Sequence, residues 1–205
     1  MKPILALLVS VVSALGANPY LHFADDKAVV REFTGEEWDQ ERLGINDKGD
    51  GGKRAPLAAT VTTLRLEAMP WGEIYRITFK VTPAASERNI GPYYLLVTDN
   101  EILHLNSADM DREIRVIRGM KKQPRYDKED VDALTKGALK FKEGPWVTEI
   151  SIKGDACFNR RWHDGSGHFS RMVWKKGAGL VEVAMGRGAE LTGYELKLQL
   201  PGAKK

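Results

Sequence analysis

Residues 62–81 read Thr62-Thr63-Leu64-Arg65-Leu66-Glu67-Ala68-Met69-Pro70-Trp71-Gly72-Glu73-Ile74-Tyr75-Arg76-Ile77-Thr78-Phe79-Lys80-Val81. Before the Met69-Pro70-Trp71-Gly72 turn the inward series falls on even positions (Thr62, Leu64, Leu66, Ala68), and after it on odd ones (Tyr75, Ile77, Phe79, Val81). A period of two marks half-buried strands. A hairpin that opposes Ala68 to Glu73 has partners whose numbers sum to an odd value, so both series share one face. Pattern and turn together predict an antiparallel ribbon with one apolar side.

The same reading extends along the chain. Tyr93 to Thr98 and Glu101 to Leu105 flank the turn pair Asp99-Asn100. Both of their faces are apolar, which places this hairpin in mid-sheet or beneath a helix. Trp146, Thr148, Ile150 and Ile152 alternate in another strand, and residues 156–163 and 168–175 flank Asp164-Gly165-Ser166-Gly167. Leu180 to Met185, the Gly186-Arg187-Gly188 turn and Ala189 to Leu200 form the last pair, whose apolar parity changes between Leu191 and Tyr194. Gly193 lies at the change and predicts a bulge. Ala28 to Phe33 reads as an edge strand and Glu36 to Leu43 as a short helix. Residues 127–141 read as a helix, with Asp127 as N-cap and Val131, Leu134, Ala138 and Phe141 on one stripe, Gly137 interrupting it. The Gly-rich, charged segment 44–56 reads as a mobile loop. The expected fold class is mainly β: an antiparallel meander of about nine or ten strands forming a strongly curved sheet or partly closed barrel, with one inserted helix at 127–141.

Lys2, the apolar run Ile4 to Val12 and the small residues Ser13-Ala14-Leu15-Gly16-Ala17 follow the order of a secretory signal peptide, so residues 1–16 are expected to be removed on export to a periplasmic or extracellular location. The run is too short to span a bilayer, no later segment approaches about 18 apolar residues, and no transmembrane segment is expected. Removing 16 of 205 residues leaves 189, enough for one domain at 17–205. The mature chain carries 30 basic and 28 acidic residues, a net charge of +2. Nucleic-acid binding draws most of its affinity from an excess of cations, so no nucleic-acid partner is expected. Cys157 is the single cysteine, which excludes an intrachain disulfide, and its strand setting reads as a buried thiol.

The segment Phe169-Ser170-Arg171-Met172-Val173-Trp174-Lys175-Lys176-Gly177-Ala178-Gly179-Leu180-Val181-Glu182-Val183 resembles the W-x-x-G-x-G-L-V strand pair near the C-terminus of many exported bacterial β-rich proteins, among them lipoprotein-like domains. Its glycines suit a turn, and Trp174 and Leu180 suit packing. The resemblance implies an exported curved sheet and, by analogy, an apolar or lipid-like ligand in a half-open barrel.

Candidate chemistry gathers on the 156–175 hairpin. Opposing Asp164 to Gly167 pairs His163 with His168, Trp162 with Phe169, Arg160 with Arg171 and Cys157 with Trp174. Cβ atoms of the two histidines then lie about 5 Å apart, a spacing at which they can share a metal. No third ligand is dictated locally, and the plain alternative is two solvated imidazoles at a hairpin tip. Ser166 beside them invites a hydrolytic reading but lacks a strand-to-helix nucleophile elbow. On the other face Phe158, Trp162, Phe169 and Val173 surround Arg160 and Arg171. Opposed guanidiniums repel unless neutralised. Such a surface suits a carboxylate, phosphate or sugar acid, because Arg offers a bidentate fork and rings offer stacking. The plain alternative pairs each Arg with Glu149, Glu182 or another carboxylate. A second basic cluster (Arg112, Arg115, Arg118, Lys121, Lys122, Arg125, Lys128) suits anionic lipid headgroups or polysaccharide, against the plain alternative of a solvated face whose reach Glu129, Asp130 and Asp132 halve. The glycine segments at 44–56 and 177–179 fit neither a phosphate cradle, a calcium loop nor a dinucleotide fingerprint, and no cofactor is implied.

The expected function is therefore an exported, non-enzymatic β domain that binds a small or polymeric ligand (lipid-like, anionic or saccharide) through Arg160, Arg171, Trp162 and Phe169, or an envelope protein partner. The alternative is a metal-dependent or hydrolytic enzyme centred on His163 and His168.

Overall fold

The computed structural model describes residues 18–21, 28–49, 51–83, 90–126 and 131–199; the leader read in residues 1–16 lies outside them. Twelve strands form one antiparallel sheet: β1 (Val29–Asp39), β2 (Arg54–Met69), β3 (Gly72–Thr82), β4 (Tyr93–Val97), β5 (Ile102–Leu105), β6 (Val131–Thr135), β7 (Leu139–Glu143), β8 (Trp146–Lys153), β9 (Ala156–His163), β10 (Phe169–Lys175), β11 (Gly179–Arg187) and β12 (Thr192–Leu198). Their order is β6-β5-β4-β3-β2-β1-β12-β11-β10-β9-β8-β7. Every neighbour pair is consecutive in the chain except β1 with β12, the first strand with the last. The sheet is curled into a half-barrel.

The chain itself dictates the curl. β6 and β7 lie at opposite edges of the sheet, yet only residues 136–138 separate them. Four Cα steps of about 3.8 Å hold Thr135 and Leu139 within about 15 Å, so the edges must approach. Asn159 on β9 donates from Nδ2 to the carbonyl of Ala133 on β6 at 2.9 Å, and the Cys157 Sγ lies 4.0 Å from the Leu134 carbonyl. One edge is thereby seated on the inner face of the opposite wall.

The inner face holds the main core: Phe33, Val61, Tyr75, Leu95, Ile150, Trp174, Val183 and Leu196 come from eight different strands. Tyr93 on β4 packs against the core that holds Tyr194 of β12, and burial pushes the Tyr93 hydroxyl pKa up. Residues 18–21 close one mouth. Asn18 donates from Nδ2 to the Thr98 carbonyl at 2.7 Å, the Gly177 amide donates to the Pro19 carbonyl, and Leu21 is buried in the core. A second core lies outside, where α2 (Met110–Arg118) buries Ile114 and Ile117 against Ile74, Leu96, Leu103 and Leu105 of β3–β5. The two apolar faces of the 93–105 hairpin are accounted for: one faces the interior, the other the helix.

Several expectations are corrected. No helix spans 127–141: residues 131–135 and 139–143 are β6 and β7, and Asp127 lies outside the described residues. Pairing to β5 and β8 at the two sheet edges overrides the local period, and Gly137 sits in the link. The inserted helix is α2 instead, capped by the Asp109 carboxylate accepting from the Arg112 amide at 2.9 Å. Ala28 to Phe33 is no edge; β1 runs to Asp39 in the middle of the sheet, leaving only Gln40–Leu43 helical (α1). Ala68 opposes Glu73 as expected, but a bulge between Arg65 and Glu67 shifts the register and pairs Leu64 with Arg76. Val61 and Ala59 consequently face inward, and Leu66 turns out toward α2. Gly193 carries no bulge. Leu191 belongs to a single helical turn, α3 (Gly188–Leu191), which removes it from the strand series. The 44–56 segment is bound by its own backbone, Lys53 donating to the Gly44 carbonyl at 2.8 Å, and its last three residues open β2.

Candidate outer-face binding site

The β9–β10 register is the expected one: Trp162 opposes Phe169, Arg160 opposes Arg171, and Cys157 opposes Trp174. Its inner face holds Cys157, Asn159, Arg161 and His163; its outer face holds Phe158, Arg160 and Trp162. Burial raises the Cys157 thiol pKa, which fits an inert core thiol. Trp174 and Leu180, opposed across a β10–β11 bulge, are both buried, and Gly177 and Gly179 have φ of 70° and 76° in the turn between them.

Outside, one row crosses five strands: Trp162, Phe169, Gly186, Gly193, Trp38. The two glycines are ring seats. A Cβ on Gly186 would come within 2.3 Å of the Phe169 ring, and one on Gly193 within 2.3 Å of Trp38. The next row holds Glu149, Arg160, Arg171, Ala184, Glu195 and Glu36.

The two arginines have different fates. Arg171 is neutralised by Glu182 and by Glu195 at 3.3 Å, as its plain alternative required. For Glu195, burial favours the neutral acid, but the Lys197 hydrogen bond with the Lys197 and Arg171 charges outweighs it and holds the pKa low. Arg160 is exposed and lies 4.9 Å from the Trp162 ring centre, with no ion pair among the described residues. Lys140 stands 5.7 Å from the same ring, and Lys153 5.7 Å from Phe158. Residues Lys140, Trp162, Arg160, Phe158 and Lys153 thus interleave cations with half-exposed aromatics along one wall. Sequence reasoning missed Lys140 because it lay in the supposed helix; the alternation Leu139, Phe141 against Lys140, Lys142 was its signal.

His163 and His168 do converge, their ring centres 6.4 Å apart, and both meet Trp146 edge to face at 5.0 and 6.5 Å. They lie at the mouth of the half-barrel opposite residues 18–21, where His168 borders an open groove of about 670 Å³ shared with Glu41, Ile45, Arg187 and Leu191. Ser166 Oγ and His168 Nδ1 share a hydrogen bond of 2.8 Å. Asp164 points instead to Lys142 at 2.6 Å, whose hydrogen bond lowers the carboxyl pKa. Among the described residues no three His, Cys, Asp or Glu side chains are placed to hold a metal. The second basic cluster is brought together on α2 and the segment after it, Lys128 lying outside the described residues. No protein-family model and no curated protein sequence matches this chain.

Proposed function

We propose that this protein is an exported binding module that takes an anionic ligand, a small carboxylate or an acidic saccharide, on the outer face of β9, without a chemical step. Arg160 carries the reading. Its opposite partner Arg171 is neutralised by two carboxylates, whereas Arg160 rests on Trp162 with its guanidinium exposed. A guanidinium backed by a ring keeps its fork free for a bidentate carboxylate, and the flanking aromatic rings suit stacking on a flat sugar face. Lys153 adds positive potential on one side, while Lys140 on the other is paired with Glu149 at 3.7 Å. The leader pattern supports export.

Titration with oligogalacturonate and with its fully methyl-esterified, neutral form tests this by calorimetry. The acidic form is expected to bind, and Arg160→Ala or Trp162→Ala to weaken it by about tenfold or more, the scale of one charge-assisted contact. Equal binding of the neutral form, or no response to either substitution, would overturn the reading. Stoichiometric zinc in the purified protein, lost in His163→Ala, would favour the enzyme alternative at the histidine pair.

A further inference from the structure

The outer wall opposite β9 carries a second unneutralised surface. Ile114 and Ile117 dock α2 on β3–β5, which turns Arg112, Arg115 and Val116 together toward solvent. Beyond the helix, Trp71 Nε1 donates to the Met120 carbonyl at 3.0 Å and Gln123 Nε2 to Glu101 at 3.1 Å. These bonds hold residues 120–123 on the wall and leave Lys121 and Lys122 exposed, with Arg125 following. Arg118 is paired with Glu67 at 3.2 Å, but Arg112, Arg115, Lys121, Lys122 and Arg125 form no ion pair among the described residues. Among the described residues the carboxylates of this stretch are Asp109, used as the helix cap, with Asp111 and Glu113 in the first turn; Asp127, Glu129, Asp130 and Asp132 follow in the sequence. Val116, 48% exposed among these cations, contributes nothing to the core.

From this arrangement we infer that the α2 wall docks on a bilayer surface containing anionic lipid. The charge sign requires an anionic partner. A row of separate cations spread over a helix and its continuation matches a plane of phosphate headgroups, into which one exposed aliphatic side chain can dip. This inference is independent of the β9 site, which lies on the far side of β2, β1, β12, β11 and β10 in the sheet order.

The test is co-sedimentation of the full chain with phosphatidylcholine vesicles with and without phosphatidylglycerol, at low and physiological salt. Binding is expected only with phosphatidylglycerol, weakening as salt rises. Each cation removed should cost about fivefold, so Arg112→Gln/Arg115→Gln/Lys121→Gln/Lys122→Gln should bind several hundredfold more weakly. Lys48→Gln/Lys53→Gln, exposed cations in the loop before β2, should bind as the parent does. Equal loss in this control, retention in the quadruple variant, or failure of the parent protein to sediment with phosphatidylglycerol at low salt would overturn the inference. An unchanged circular dichroism spectrum separates lost binding from lost folding, because the substituted side chains are exposed.

Discussion

The β3–β5 wall and the β8–β10 wall share a buried inner face and differ in what they turn outward. Outside β3–β5 stand Ile74, Leu96, Leu103 and Leu105, all buried beneath α2. Outside β8–β10 stand Phe158, Trp162, Phe169 and Arg160, with no helix over them among the described residues. Aliphatic side chains gain only from leaving water, so the chain covers them with its own helix. Aromatic rings backed by cations keep favourable contacts while wet and can remain open to a ligand. The difference separates a wall built for stability from one available for binding.

The sharpest way to break that comparison is to remove one side chain from each wall. Ile117→Ala should destabilise by about 3 kcal/mol, because the residue is fully buried between helix and sheet. Phe158→Ala, half-buried, should cost about 1 kcal/mol. Urea denaturation measures both, and equal losses would contradict the division. Within the open wall the two arginines sharpen it further. Arg171→Ala leaves Glu182 and Glu195 without their shared cation and should cost about 1–2 kcal/mol after allowance for solvent screening. Arg160→Ala should change stability by about 0.5 kcal/mol or less, while weakening ligand binding by about tenfold or more.

The smallest effect expected is on pH dependence. Glu195 has a depressed folded pKa, so its contribution is present above its usual 4.5 and is lost as acid carries the pH through the lower folded value. Lys197 has a raised pKa owing chiefly to its hydrogen bond with Glu195, so its contribution is present below 10.5 and is lost as the pH rises through the higher folded value. Lys197→Met should flatten both limbs of the stability profile by lowering the midpoint at neutral pH slightly while leaving the extremes unchanged. Thermal melts across that range report it, and limbs as steep as the parent's would contradict the pairing.

Much of the open wall was legible in the chain. The turn Asp164-Gly165-Ser166-Gly167 fixes the β9–β10 register, so the pairing of Arg160 with Arg171 and of Trp162 with Phe169 follows from counting. What counting does not supply is which arginine is neutralised, because Glu195 reaches Arg171 from β12, two strands away in the sheet order. Gly193 illustrates the same limit. In one dimension it sits where a parity breaks; in three it makes room for the ring of Trp38, a residue far earlier in the chain. Residues 131–141 were misread because their spacing fits a helix locally, while their strands exist only through partners on two distant edges.

By itself the sequence determined the antiparallel β class, the hairpins and the aromatic and cationic side chains that one hairpin displays, since period and turn chemistry act over neighbouring residues. Tertiary structure alone decided that the first strand lies in mid-sheet, that β6 returns to β9, that α2 covers one wall, and which cations find carboxylates. Those outcomes depend on contacts between residues far apart in the chain, and no local pattern encodes them.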